Sequence, residues 1–165
     1  MRARPASGMA KRVPPSPKAT AIRMLARREY GRAELTERLL ARGIPREDVE
    51  RTLGELEALG FLSDARYAHG VVAQKSGRYA KRAIVHALKQ KGIASPAAEE
   101  ALATLDGSDE LAEATALWQR RFGTPPADER EKARHMRFLL SRGYSASLAF
   151  KVLRAAGARP APDDD

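Results

Sequence analysis

The chain has no cysteine, which excludes disulfides, thiolate metal sites and a cysteine nucleophile, and suits a reducing compartment. Aromatic residues are scarce as well: one tryptophan, four tyrosines and four phenylalanines among 165 residues. A core must therefore come mainly from Leu, Ala, Val and Ile. No apolar run approaches the roughly 20 residues of a membrane helix, and the amino terminus lacks a signal-peptide segment. The expectation is a soluble, cytoplasmic protein that does not contact a membrane. Alternating Val/Ile/Thr runs bounded by turns are missing too, which argues for an all-α fold.

The signatures of common catalytic sites are also absent. The sequence contains no GxxxxGK(S/T), GxGxxG, GxSxG or HExxH motif. His69, His86 and His135 lie far apart with no ligand-like spacing and read as helix-surface imidazoles. Glu99 and Glu100 are adjacent, so they fall on different sides of a helix and make a poor acid/base pair. No enzyme activity, cofactor or metal site is expected.

Acid is missing from two whole stretches. Between Ala65 and Ala98 there is no Asp or Glu, yet Arg66, Lys75, Arg78, Lys81, Arg82, Lys89 and Lys91 are present. The same holds from Lys132 to Pro162, with Lys132, Arg134, Arg137, Arg142, Lys151, Arg154 and Arg159. The first third of the chain, by contrast, interleaves its arginines with acids. The net charge of +9, from 30 Lys and Arg against 21 Asp and Glu, thus comes from two acid-free blocks and the amino-terminal segment. Surface helices normally gain from Glu to Lys pairs one turn apart, so complete exclusion of acid is informative. Such blocks attract polyanions, including the DNA backbone, and acidic protein surfaces. The candidate contacts are Arg66, Lys75, Arg78, Lys81, Arg82, Lys89, Lys91, Arg120, Arg121, Lys132, Arg134, Arg137, Arg142 and Tyr144. Tyr67, Tyr79, Phe122 and Tyr144 stand among basic residues, where an aromatic ring can stack on a base.

What the sequence does have is a repeat. A basic residue, glycine and a hydrophobe recur as Arg42-Gly43-Ile44, Lys91-Gly92-Ile93 and Arg142-Gly143-Tyr144, each with an upstream leucine (Leu39, Leu88, Leu139) and one ten residues beyond the glycine (Leu53, Leu102, Leu153). A period near fifty residues suits a unit of two or three helices. Glycine tolerates the left-handed conformation that closes a helix, and a cation before it sits at the negative end of the helix dipole. Capping accounts for the glycines, and the basic residues are free to serve a second role.

Periodicity then places nine helices. Ile22, Leu25 and Ala26 mark the first, Leu35, Leu39 and Leu40 the second. Pro45 suits the first turn of the third, which carries Val49, Leu53 and Leu56 and stops at Gly60. Ser63 caps a fourth helix bearing Ala68, Val71 and Val72, Ile84 and Leu88 mark the fifth, and Ser95-Pro96 opens the sixth. Leu111, Thr115, Trp118 and Phe122 form one stripe of the seventh, and Thr124-Pro125-Pro126 breaks the chain. Met136, Leu139 and Leu140 mark the eighth helix, with Ala149, Val152 and Leu153 on the ninth. The expected organisation is a disordered basic arm at 1–17, three-helix modules at 18–61, 62–105 and 106–156, and a flexible acidic tail at 157–165.

Three stretches carry a resemblance to a known family. Phe61-Leu62-Ser63-Asp64-Ala65-Arg66-Tyr67-Ala68, Leu88-Lys89-Gln90-Lys91-Gly92-Ile93 and Arg137-Phe138-Leu139-Leu140-Ser141-Arg142-Gly143-Tyr144 resemble successive signatures of the RecX family of recombination regulators, and Leu25 to Leu39 is similar to its opening segment. The resemblance implies three tandem helix-turn-helix-like modules in an elongated array. It also implies binding in the groove of the RecA filament on DNA, with limits on filament growth, ATP hydrolysis and strand exchange. The acid-free blocks add the expectation of weak, sequence-tolerant binding to DNA alone, and a monomer is expected. Ser63 stands where the family commonly has a second Asp, and Arg78-Tyr79-Ala80-Lys81 replaces a common Gly-Tyr-Gly turn and the Pro after it. The alternative is an autonomous DNA-binding protein of helix-turn-helix type, but cations spread over two modules fit backbone recognition better than base readout.

Overall fold

The computed structural model describes residues 13–93 and 95–157, without the side chain of Ser95. Pro17 and Gly157 belong to the first and last helices, while residues 1–12 of the expected arm at 1–17, residues 158–165 of the expected tail at 157–165 and the cap at Ser95 lie outside the described residues. Within them are nine α-helices and no strand: α1 Pro17–Leu25, α2 Arg32–Leu40, α3 Arg46–Ala58, α4 Asp64–Lys75, α5 Lys81–Gln90, α6 Ser95–Ala103, α7 Glu110–Arg121, α8 Glu129–Ser141 and α9 Ala146–Gly157. Each helix packs on the two others of its own triplet, so α1–α3, α4–α6 and α7–α9 form three tandem modules.

Side-chain caps start many of these helices. Ser16 Oγ accepts the Ala19 N–H at 3.1 Å, and Pro17 fills the first turn, where its missing N–H costs nothing. Ser63 and Asp109 cap α4 and α7 in the same way. At α8, Asp128 accepts the Glu131 N–H at 2.8 Å while the Glu131 carboxylate reaches back to the Ala127 N–H at 2.8 Å. Pro45 sits at the N-cap of α3, one position before the expected first turn.

The repeated tripeptides end α2, α5 and α8. Gly43, Gly92 and Gly143 have φ of 80°, 65° and 93°. Each glycine N–H bonds the carbonyl three residues back, and the next N–H reaches five back, to Leu39, Leu88 and Leu139 at 3.4, 3.2 and 3.2 Å. This double bond pattern is a Schellman motif, and it explains the leucine four residues before each glycine: that residue's carbonyl closes the corner while its side chain enters the core. Leu39, Leu88 and Leu139 are buried, and truncating any one to alanine should cost about 2 to 5 kcal/mol.

Each module has its own core. The first gathers Met24, Tyr30, Leu35, Leu39, Val49, Leu53, Leu56 and Leu62. Ala68, Val72, Ile84, Leu88, Ile93 and Ala101 form the second, where Leu102 is only partly buried. The third is built on Leu117, Trp118, Leu139, Tyr144, Val152 and Leu153, and it also includes Ala80 from the second module. Three sequence expectations need correction here. Leu111 and Leu140 are exposed, because the buried face of α7 runs through Ala114, Leu117 and Trp118 and that of α8 through His135 and Leu139. His135 is not a surface imidazole. It is 3% exposed, its Nδ1 accepts the Trp118 indole N–H at 3.2 Å, and Phe122 stacks on its ring at 3.7 Å between centroids.

Candidate functional site

The repeated corners do more than end helices, because two of them seat one module on the next. In the first joint, the Lys91-Gly92-Ile93 corner meets the start of α2. A Cβ on Gly92 would lie 3.0 Å from Ala33 Cβ, and one on Gly31 would lie 2.9 Å from Ile93 Cδ1. The start of α2 has no side-chain cap of its own and is completed across the joint, where Asp64 Oδ1 accepts the Arg32 N–H at 2.7 Å. Arg66 fastens the same joint. It pairs with Glu29, and its two terminal nitrogens donate to the Gly60 and Phe61 carbonyls at 3.1 and 3.2 Å. The Glu29 hydrogen bond raises the Arg66 pKa further above its already high value, so this guanidinium stays charged.

The second joint repeats the arrangement. The Arg142-Gly143-Tyr144 corner meets the start of α5, where a Cβ on Gly143 would lie 2.7 Å from Ala83 Cβ. The Arg142 carbonyl accepts the Ala80 N–H at 2.8 Å, and Arg82 Nε donates to the Gly143 carbonyl. Arg120 reaches the Gly77 carbonyl at 2.7 Å, and the Arg142 guanidinium lies 4.8 Å from the Tyr79 ring centroid and 5.2 Å from that of Phe138. These contacts give the acid-free blocks part of their explanation. At the second joint Arg82 and Arg120 bond main-chain carbonyls just past the ends of helices, so no carboxylate is needed there.

The sequence candidates therefore separate into groups. Arg66, Arg82, Arg120 and Arg142 are held in the joints. Lys81 pairs with Asp106 at 2.8 Å and Lys132 with Glu129 at 3.6 Å. Lys75 lies over Tyr79, while Arg121 and Arg134 flank Phe122. Arg78, Lys89, Lys91 and Arg137 are exposed and enter no ion pair among the described residues. Lys89 and Lys91 share an open cleft of about 580 Å³ with Glu34 and Glu37, between the first two modules. Tyr144 is a correction: it is fully buried in the third core and cannot stack on a base. Tyr67, Tyr79 and Phe122 are half-buried. The sequence reading missed the other half of each joint, namely Gly31, Ala33, Ala80 and Ala83 with Glu29 and Asp64. Their contribution is small size and reach across the chain, which leaves no local signature.

Comparison with known proteins agrees with this architecture. Residues 18–56 match the domain described as "RecX, first three-helix domain", residues 63–102 the second such domain and residues 108–153 the third. A relative named regulatory protein RecX from Leptothrix cholodnii is 43% identical over 139 residues, covering 84% of this chain and 88% of the relative. Another of the same name, from Ralstonia nicotianae, is 39% identical over 147 residues, covering 89% and 92%. Among solved structures, RecX from Lactobacillus salivarius superposes with a TM-score of 0.66 at 19% identity, over 87% of this chain and 96% of that one, which speaks for the fold. With three family domains matched in order and relatives of this identity along most of its length, the chain belongs to the RecX family of regulatory proteins.

Proposed function

We propose that this protein regulates the RecA recombinase as a cytoplasmic monomer, by lying along the groove of the RecA filament on DNA. In that position it limits filament growth, ATP hydrolysis and strand exchange. The observation that carries the reading is a jointed array of three modules with exposed, unpaired cations (Arg78, Lys89, Lys91, Arg137) distributed along it. Several weak contacts on one jointed chain bind a repeating partner more tightly than any of them alone, through effective concentration. The action is steric and electrostatic and involves no bond chemistry.

Added to RecA, single-stranded DNA and ATP, the protein is expected to lower steady-state ATP hydrolysis at or below the RecA concentration. Unchanged hydrolysis together with unchanged filament length at low salt would refute the reading. On naked DNA, binding is expected to be weak and indifferent to sequence. A preference above about 10³ for one duplex site would instead make the protein an autonomous DNA-binding regulator.

A further inference from the structure

The first module looks charge-balanced in sequence, but the fold separates its charges. Glu29 is taken by Arg66, Glu34 by Arg28 and Arg38, and Glu50 and Glu57 by Arg32. Asp48 pairs with Arg51, and Glu55 meets Lys18 at 3.3 Å. These pairings leave Arg23, Arg27 and Arg42 with no ion pair among the described residues. With Arg38 the three surround an open pocket of about 410 Å³ that has no acidic side chain in its lining.

The repeat explains why Arg42 is available. In the later copies the corner is occupied by the neighbouring module, and the Arg142 guanidinium lies against Tyr79. Among the described residues, none is seated on the first corner. A Cβ on Gly43 would meet nothing within 4 Å, and Arg42 makes only a local bond, to the Arg38 carbonyl at 3.0 Å. All four arginines stand in or just after the last turns of α1 and α2, where the helix dipole tolerates cations without a carboxylate. Of the four guanidinium groups only Arg38 has a carboxylate partner, so Arg23, Arg27 and Arg42 repel one another, and an anion bound among them removes that repulsion.

We infer that this pocket binds the phosphodiester backbone of nucleic acid. Guanidinium forks match phosphate oxygens in bidentate geometry. A polyanion fits better than a lone carboxylate, because four guanidinium groups line one open pocket and a single carboxylate can engage only one or two of them. The contact reads no sequence: Tyr30 is buried, and the Arg28 guanidinium covers its ring at 3.7 Å from the centroid, so it offers no stacking face. The inference does not depend on the recombinase reading, and its test contains no recombinase.

The test uses the full chain and fluorescent oligothymidine of about 30 nucleotides, with anisotropy followed from about 50 to 300 mM salt. One variant combines Arg23→Gln, Arg27→Gln and Arg42→Gln, leaving Arg38 to hold Glu34. A charge-matched control in the same module combines Lys18→Gln, Arg46→Gln and Arg51→Gln. At roughly 0.7 per phosphate contact, the pocket variant should flatten the slope of log K against log salt by about 2, and the control by less than half of that. Lysine at the three pocket positions should keep the slope and lose affinity several-fold, because charge survives and the fork does not. Should the triple glutamine variant lose its helical circular-dichroism signal, each single variant is expected to flatten the slope by about 0.7. Equal slopes for pocket variant and control would overturn the site. So would competition by oligoglutamate of matched charge as effective as by unlabelled oligothymidine, which would assign the pocket to an acidic protein surface.

Discussion

At the scale of single residues, His135 ties the third module to pH. Its Nδ1 must be unprotonated to accept the Trp118 N–H. Burial first, and then the charge of Arg134, push its pKa below the ordinary 6.5; Glu131 pulls the other way, and Arg121 adds a still smaller push. In the unfolded chain the imidazole takes a proton near its ordinary pKa, while in the folded chain it resists until a lower pH. Its stabilisation is therefore complete above about pH 6.5 and is lost as pH falls towards and through the folded value. The melting temperature should drop between about pH 7 and 5, and should drop less in His135→Gln, where the titrating group is gone. Parallel pH slopes in the two proteins would rule this out.

Tyr144 is a second case at the same scale. Its hydroxyl is buried without a hydrogen-bond partner, and burial, followed by the charges of Glu113 and Glu110, raises its pKa to about 12. A buried polar group left unpaired costs free energy, so Tyr144→Phe should leave stability unchanged or raise it by up to about 1 kcal/mol in urea denaturation. A clear loss of stability would reveal a partner for that hydroxyl. Neither residue announced its role in the sequence. A histidine has the same letter on a surface as in a core, and the signature that made Tyr144 look like a stacking residue arises from its place after the glycine of a corner.

At the scale of elements, the three corners share one backbone shape and differ in what touches them. Alanine at Gly43 meets only the strain of a left-handed backbone, about 1 to 2 kcal/mol. At Gly92 the added Cβ also approaches Ala33, and at Gly143 it would come within 2.7 Å of Ala83 Cβ on the neighbouring module. Destabilisation measured in urea should therefore rise in the order Gly43→Ala, Gly92→Ala, Gly143→Ala. The last variant should also speed hydrogen exchange at the Ala80 amide, whose acceptor is the Arg142 carbonyl. Equal losses at all three positions would show that capping alone fixes these glycines. The corners were legible in sequence because a Schellman motif demands glycine with a leucine at a set distance. The surfaces that receive them were not, since Gly31 and Ala83 act through the atoms they lack, and the partners lie about one full module away in the chain.

At the scale of the whole molecule, the modules are not equally independent. Ala80 lies between α4 and α5, inside the second module, yet packs in the third core, whereas the first core takes only Leu62 from the link between α3 and α4, one residue past its expected bound at 61. Trp118 is the sole tryptophan and is buried in the third module, so its fluorescence reports the unfolding of that module in the intact chain. Leu88→Ala and Leu39→Ala remove comparable buried side chains, each costing about 2 to 5 kcal/mol locally. Leu88→Ala should shift the Trp118 transition to clearly lower urea, and Leu39→Ala should shift it less. Shifts of equal size would mean that both joints transmit unfolding alike. The nine helices and their grouping could be read from the sequence because apolar spacing and glycine stops are local. The distribution of charge could not, because a balanced count along the chain says nothing of which acid each arginine meets. The arginine pocket of the first module emerges only after the ion pairs are drawn.

The two joints also differ in how they can be inherited. The bond from Ala80 to Arg142 is made between main-chain atoms, and among single substitutions only proline at position 80 would remove its donor. The bonds of Asp64 and of Arg66 with Glu29 are made by side chains, and one codon change abolishes either. Drift can therefore remove the polar fastening of the first joint one codon at a time, whereas at the second joint it can change Gly143 or the side chains of Arg82 and Arg120 and still leave the Ala80 bond its donor and acceptor. Among descendants of this sequence, the polar bonds between modules one and two are the fastening more open to selection.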